Sequence, residues 1–188
     1  MLGAQRVAQP SARDLARVRD EAGVEFLNGQ IHEKPVSIRS KIVETQIVCL
    51  LMDVAAQAKS TQVFTASMGY RCFIDDPSKV RKPDVSIVRS VRLHGHNENE
   101  SFIRVRPDLA IEIVSRSDLA AELQDRIQDY LTNGFPLIWV VYPSLKTVTI
   151  FRLDGMVATL HEKDEITGEP ALPNFRCKVA QFFPEPAK

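Results

Sequence analysis

The chain has 188 residues, of which 44% are apolar and 26% charged, a composition typical of one globular domain with a buried core. Basic and acidic residues number 24 each, so the net charge gives no support to nucleic-acid binding, which would need a local patch. We expect no signal peptide and no membrane span, because no apolar run approaches the roughly 20 residues that a span needs. The three widely spaced cysteines predict no disulfide framework and favour a reducing, cytoplasmic location.

The N-terminal part of the chain predicts a short helix, a hairpin and a long helix. We expect residues 1–12 to form a disordered lead and residues 13–22 to form the short helix. The Asn-Gly pair at 28–29 lies between two alternating segments and predicts a type I′ turn, which needs positive φ at both positions. Apolar residues at helical spacing then predict an amphipathic helix over 38–57, with Ser37 as its N-cap.

The rest of the chain predicts a sheet around one more helix. Segments with the composition or alternation of strands lie at 62–66, 69–74, 83–88, 108–114, 137–142, 147–153 and 156–161. A polar loop is expected at 92–101, a helix at 117–133, and a loosely packed, proline-marked tail at 170–186. This order predicts a single α/β (α+β) domain over residues 13–188, with a central mixed β-sheet flanked by helices.

Two of these strands carry acids at positions where burial is expected. Asp84 begins one strand and Asp108 the other, and side-chain alternation places Glu112 in mid-strand on the face opposite Ile111. A lone carboxylate buried there is costly unless it is paired or bound to a cation. If the strands are neighbours, Asp84 and Glu112 point into one pocket, where a hard cation such as Mg²⁺ would relieve their repulsion.

Each of these acids also has a purely structural interpretation. An aspartate at a strand start is often a turn or cap residue, and we favour that role for Asp108 because it lies two pleats, roughly 13 Å, from Glu112. The same interpretation stays open for Asp84. Glu112 could instead form a salt bridge with a buried arginine. Arg126 is the candidate, because it lies at the centre of the apolar stripe of the 117–133 helix and therefore faces the sheet, although it could also reach a phosphate or extend to solvent.

Taken together, the motifs resemble a known family. They are Pro83-Asp84, Pro107-Asp108-x-x-x-Glu112, Tyr130-x-x-x-Gly134, Trp139-Val140-Val141-x-Pro143, the hairpin at 26–34 and the closing Leu172-Pro173-x-Phe175. Over residues 20–183 they resemble the Uma-type restriction endonucleases of the PD-(D/E)XK nuclease superfamily. The resemblance implies a restriction-endonuclease-like core, Asp84 and Glu112 as metal ligands, Mg²⁺ or Mn²⁺ as cofactor, and DNA as substrate.

The chain departs from the family pattern at the catalytic lysine. The resemblance places that lysine four residues before the tyrosine, where this chain has Arg126. Arginine stays charged and can stabilise a pentavalent phosphate, but it is a poor base. The family also often has an acid on the first long helix, and the alignment leaves Arg39 or Glu44 as its counterpart.

Two functions follow from this pattern. The first is a metal-dependent DNA endonuclease that hydrolyses phosphodiester bonds with Asp84, Glu112 and Arg126 as catalytic residues. The second is a catalytically impaired nuclease-fold module that binds nucleic acid or a partner without cutting. The possible accessory residues of the site are Asp108, Glu44 and Tyr130.

Basic residues are in local excess around the predicted site. Residues 71–106 hold eight basic residues against five acids, which predicts contacts to phosphate. The candidate nucleic-acid-binding residues are Arg81, Lys82, Arg104 and Arg106, and an ordinary solvated surface is the alternative. The spacing of His94 and His96 resembles that of metal ligands, but without further ligands it predicts no metal site.

The last expectation concerns self-association. We expect the hairpin 147–161 to end the sheet, and its first strand is fairly apolar on both faces, with no lysine in the middle. An exposed edge of this kind favours pairing with another chain. We therefore predict a homodimer, with coverage of the edge by the N-terminal hairpin or the tail as the alternative.

Overall fold

A six-stranded mixed sheet forms the centre of the computed structural model, which describes residues 9–97 and 99–185. In chain order the helices and strands are α1 (Ala12–Asp20), β1 (Val24–Leu27), β2 (Gln30–Glu33), α2 (Ile38–Ala58), β3 (Thr61–Thr65), β4 (Gly69–Tyr70), β5 (Val85–Arg89), β6 (Phe102–Ile103), β7 (Leu109–Ile113), α3 (Ala120–Thr132), β8 (Leu137–Tyr142), β9 (Thr147–Arg152), β10 (Val157–His161), β11 (Glu165–Thr167) and β12 (Arg176–Lys178). The strand order of the sheet is β10-β9-β8-β7-β5-β3, with β7 and β8 parallel and the other neighbours antiparallel. This architecture confirms the predicted fold class.

Helix α2 covers one face of the sheet. It begins after Ser37, whose side chain accepts a hydrogen bond from the backbone N–H of Ser40, and it ends at Lys59 in the left-handed conformation. The residues that it buries recur at helical spacing and are Ser40, Val43, Ile47, Leu51 and Ala55. Full burial of one aliphatic side chain of this size contributes roughly 1.5–3 kcal/mol, so this face attaches the helix firmly to the sheet.

Helix α3 covers the opposite face, because it forms the crossover between the parallel strands β7 and β8. Alternation along β7 sends Ile111 to the core under α2, whereas Ala110 packs in the second core with Ile127 and Tyr130 of α3. Glu112 shares the Ala110 face by the same alternation. The strand therefore delivers one buried carboxylate to the α3 side of the sheet.

The N-terminal hairpin packs beside this arrangement. Asn28 and Gly29 both have positive φ, 51° and 81°, as the type I′ turn requires. The hairpin is fixed by two backbone hydrogen bonds between Phe26 and Val80. This docking brings the end of β2 next to the segment that leads into β5.

The tail does not pack loosely as predicted, because its apolar residues complete the core under α2. Leu172, Phe175, Phe182 and Phe183 are buried, and the rings of Phe175 and Phe182 lie 6.0 and 6.1 Å from that of Trp139. Regular structure in the tail is limited to the short strand β12 and a 3₁₀ turn at Val179–Phe182, but the aromatic residues between its prolines are buried.

Other differences from the sequence prediction are local. The predicted strand 69–74 is only Gly69–Tyr70, because the chain turns after Arg71 toward the Asp75-Asp76 turn. The polar segment 92–101 begins inside a short 3₁₀ turn, Ser90–Leu93, and α3 starts three residues later than predicted. Residues 1–8 of the expected disordered lead lie outside the described residues. At its end the prediction is wrong, because Ser11 caps α1 and Ala12 begins it. Within residues 9–97 and 99–185, no helix is both long and apolar enough to cross a membrane.

Candidate active site

Asp84 and Glu112 meet at one position between neighbouring strands. The register pairs Val85 of β5 with Ile111 of β7, so the residues beside this pair in each strand are also close. Asp84 Oδ2 accepts a hydrogen bond from the backbone N–H of Ile113 at 2.7 Å, which fixes this carboxylate across the strand boundary. Asp84 is 9% exposed and Glu112 1% exposed, so both carboxylates are nearly removed from water.

Lys34 joins the two carboxylates. Its ammonium Nζ lies 2.7 Å from Asp84 Oδ1 and 2.8 Å from Glu112 Oε2, and it donates a third hydrogen bond to the carbonyl oxygen of Lys82 at 3.1 Å. Burial opposes the charged form of Lys34, but the two carboxylates outweigh it and raise the pKa of the ammonium above its usual range. The sequence does not indicate this role for Lys34, because a lysine just after an exposed hairpin strand usually points into solvent.

Helix α3 completes the surroundings of Glu112. The Tyr130 hydroxyl donates to Glu112 Oε1 at 2.7 Å, and Arg126 Nη1 lies 3.5 Å from Glu112 Oε2. Burial raises the pKa of the Glu112 carboxyl, and the charges of Lys34 and Arg126 only partly offset this. Arg126 is buried against the sheet, as its position in the apolar stripe predicts, and its Nε has no hydrogen-bond partner within the described part of the chain.

A second buried acid, Glu25 of β1, organises the neighbouring cations. Its side chain accepts hydrogen bonds from Arg81 Nη1 at 3.1 Å and from the backbone N–H of Lys82 at 2.8 Å, and it lies 3.9 Å from Arg126 Nη2. Arg81 also pairs with Asp129 of α3. The sequence gives little indication of this role for Glu25. Its alternation with the apolar Val24 and Phe26 predicts an outward-facing side chain, but all three residues are buried.

The four candidate nucleic-acid-binding residues fall into two groups. Arg81 is tied to Glu25 and Asp129, and Lys82 is fully buried with its Nζ on the carbonyl oxygen of Glu21 at 2.9 Å. Both side chains pair with groups inside the protein, so they do not contribute to the predicted basic surface patch. Arg104 and Arg106 are exposed, although Arg104 lies 3.4 Å from Glu100.

The predicted accessory residues also separate in space. Asp108 lies at the opposite end of β7 from Glu112, where it pairs with Arg89 and Arg92 at 3.0 and 2.9 Å and not with the acid pair. Glu44, by contrast, lines a small cavity of about 100 Å³ together with Asp84 and Lys34. Burial raises the pKa of Glu44, whose carboxylate pairs with Lys41 of the same helix.

The donor set around Lys34 suits a hard divalent cation. Asp84 Oδ1 and Glu112 Oε2 converge on one cation, and oxygen ligands of this kind are those that Mg²⁺ prefers. No cluster of three or more His, Cys, Asp or Glu side chains suited to a metal occurs in residues 9–97 and 99–185. A cation held by Asp84 and Glu112 would therefore take its remaining ligands from water and substrate, as Mg²⁺ usually does.

Comparisons with known proteins identify the fold and the family of this chain. A crystal structure of "a putative nuclease belonging to DUF820 from Anabaena variabilis ATCC 29413" matches with a TM-score of 0.74 and 18% sequence identity, over 85% of this chain and 89% of that chain. No curated protein matches the sequence. A family model named Uma2 and described as "Putative restriction endonuclease" matches residues 12–180. The match covers most of the chain and all of the site described above, and the chain therefore belongs to the Uma2 family of restriction-endonuclease-like proteins.

Proposed function

We propose that this protein is a metal-dependent DNA endonuclease that hydrolyses phosphodiester bonds and uses Mg²⁺ or Mn²⁺ held by Asp84 and Glu112. The observation that supports it best is the convergence of these two buried carboxylates on a single cation position, inside a nuclease fold. Burying two acids so close together is unfavourable unless a cation joins them. A structural role alone does not require a second carboxylate at this point.

The residues around the acids have distinct roles in this proposal. When bound, a divalent cation would lower the pKa of a coordinated water and neutralise charge on the phosphodiester. Tyr130 holds Oε1 of Glu112, so that Oε2 stays directed at the cation position. The Ile113 N–H does the same for Asp84, through the hydrogen bond to Oδ2. These fixed partners orient the ligands in the way that outer-shell groups do in metal sites.

Arg126 is positioned to act on the substrate. It lines a cleft of about 320 Å³ that also reaches Lys34 and Arg81, and its Nε is free of protein acceptors among the described residues. With a phosphate held in this cleft, the guanidinium would stabilise the negative charge that grows on the phosphate oxygens. Arg126 cannot serve as a base, so the proposal assigns it charge stabilisation alone.

A plasmid assay tests the proposed function. Supercoiled DNA is incubated with the protein and MgCl₂ or MnCl₂, and nicked and linear products are measured on gels. We expect metal-dependent cleavage by the wild type and its loss in Asp84→Asn and in Glu112→Gln. Cleavage that persists in both variants would show that the activity lies elsewhere.

One observation favours the alternative, a nuclease-fold module that binds nucleic acid without cutting. Arg126 stands where the family has its lysine, and the ammonium of Lys34 already occupies the position between the two acids. The variant Arg126→Lys distinguishes the two functions. If the wild type binds DNA in gel-shift assays without cutting it and Arg126→Lys cuts, the protein is an impaired nuclease, whereas strong cleavage by the wild type eliminates this alternative.

A further inference from the structure

The Lys34 ammonium occupies the position that a metal ion would need. Its two short contacts are with Asp84 Oδ1 and Glu112 Oε2, one oxygen from each proposed ligand. The side chain of Lys34 is 7% exposed, so little water screens its charge. The remaining oxygens of the pair already accept hydrogen bonds from the Ile113 N–H and the Tyr130 hydroxyl. An ammonium and a divalent cation therefore depend on the same two oxygens.

Charge repulsion forbids both cations from sharing this position. At a separation of a few ångström in a buried site, like charges repel strongly because water does not screen them. Arg126 is a poor substitute for the ammonium, since it reaches Glu112 only at 3.5 Å. Lys34 is therefore the cation that joins the two carboxylates in the metal-free protein.

Two spaces next to the site can accept the Lys34 ammonium once it leaves the acid pair. Lys34 lines the cleft of about 320 Å³, where the acids Glu33, Glu122 and Asp125 also lie, and it lines the cavity of about 100 Å³ that contains Glu44. Four flexible carbon–carbon bonds separate its ammonium from the backbone, so rotation alone can move the charge into either space. Either move keeps the ammonium near a carboxylate.

We propose that Lys34 is an internal counter-cation that holds Asp84 and Glu112 together before metal binding, and that the metal must displace it from them. This inference rests on the proposed function, because it takes the acid pair to be the metal site. The coupling between the two cations is then negative: each lowers the affinity of the site for the other. Such couplings between ligands typically lie between about 5- and 150-fold.

Isothermal titration calorimetry with MnCl₂ tests the proposal without any activity measurement. We expect Lys34→Met to bind Mn²⁺ about tenfold or more tightly than the wild type, because the competing charge is gone. Lys79→Met is the matched control. Lys79 is also a buried lysine between two carboxylates, Asp75 at 2.7 Å and Asp129 at 2.9 Å, but it contacts neither proposed ligand. We expect Lys79→Met to bind Mn²⁺ as the wild type does.

The possible results separate this inference from the proposed function. Binding of Mn²⁺ by Lys34→Met but not by the wild type would support the inference, because Lys34 would then be what blocks the metal site in the wild type. Equal affinity in the wild type and Lys34→Met, abolished by Asp84→Asn, would overturn the role of Lys34 and leave the metal site standing. The inference would also fail if Lys34→Met bound more weakly, or if Lys79→Met gained as much affinity. Absence of binding in all variants would overturn both proposals.

Unfolding of the variant does not prevent the test. If Lys34→Met or the milder Lys34→Gln is unfolded without metal, circular dichroism during an MnCl₂ titration replaces calorimetry. Refolding by Mn²⁺ would support the inference, because the metal would then replace the ammonium as the cation of the pair. Failure of both variants to refold in saturating MnCl₂ would contradict it.

Discussion

The two ends of strand β7 differ in the number of cations that surround their buried acids. At one end, a single carboxylate, Asp108, contacts two guanidinium groups, those of Arg89 and Arg92. At the other end, the carboxylates of Glu112 and Asp84 share one close ammonium. Burial is similar, 5% exposure for Asp108 and 1% for Glu112. The number of cations per acid, and not burial, therefore distinguishes a structural ion pair from a site where negative charge exceeds the charge of its close cation.

The largest expected effect comes from exchanging one acid at each end for its amide. Glu112→Gln should lower metal-dependent plasmid cleavage by more than the roughly 100-fold that loss of an outer-shell partner can cause, because a ligand is lost. Asp108→Asn should leave cleavage unchanged and reduce the free energy of unfolding by about 1–3 kcal/mol, since buried hydrogen bonds are weakened. Initial cleavage rates and urea denaturation measure the two effects. Equal loss of cleavage in both variants would remove the distinction between the two ends.

The next effect concerns the cations and metal-free stability. Lys34→Met should lower the free energy of unfolding by about 3–5 kcal/mol, because it leaves two buried carboxylates without their shared partner. Arg89→Met should cost about 1 kcal/mol or less, since the Arg89 side chain is half exposed and Arg92 remains on Asp108. Urea denaturation in EDTA measures both variants. Similar losses in the two would show that the acid pair needs its cation no more than Asp108 does.

Two buried tyrosines sharpen the comparison further. Tyr130 donates to the Glu112 carboxylate, whereas the Tyr70 hydroxyl forms its hydrogen bond with Ser86 at 2.7 Å. Tyr130→Phe should reduce cleavage about 10- to 100-fold, because Oε1 of Glu112 loses its partner and the carboxylate no longer keeps Oε2 directed at the cation position. Tyr70→Phe should change stability by about 1 kcal/mol and leave cleavage unaffected. Steady-state cleavage rates at saturating MnCl₂ test the pair, and an unchanged rate in Tyr130→Phe would show that Glu112 needs no such orientation.

The smallest expected effect is on association. Strand β10, not β9, forms the edge of the sheet, and its side chains are mostly exposed, including Val157 at 57%. The predicted homodimer would pair this edge with that of a second chain. Light scattering should give twice the monomer mass of 21.1 kDa, and Thr159→Pro, which removes a donor from β10, should restore the monomer. A mass near 21.1 kDa for the wild type would contradict the dimer.

Strand alternation and helical periodicity account for the parts of the fold and the site that can be predicted from the sequence. Alternation assigned Glu112 and Ile111 to opposite faces, and helical periodicity placed Arg126 against the sheet, because both patterns are local. The observed bounds of the main strands differ from the predicted ones by no more than two residues at either end.

Long-range docking explains what the sequence could not indicate. Lys34 and Glu25 belong to a short hairpin, and only its contact with the segment around Val80 buries them. Counting charges between residues 71 and 106 suggested a basic patch, but it could not show that Arg81 and Lys82 turn inward to Glu25 and Glu21. In the tail, the prolines predict loose packing, but the aromatic residues between them are buried because they meet Trp139 and the core under α2.

The sequence separations within the site have a consequence for biosynthesis. The Lys34–Asp84 and Lys34–Glu112 contacts span 50 and 78 residues, and β7 gains its second neighbour, β8, only after α3 has been made. Contacts so distant in sequence form late, since the intervening chain must be ordered first. Under the proposed function, a growing chain on the ribosome would have no assembled site. Catalytic competence would then begin only with the finished fold, which spares the cell from cleavage by incomplete chains.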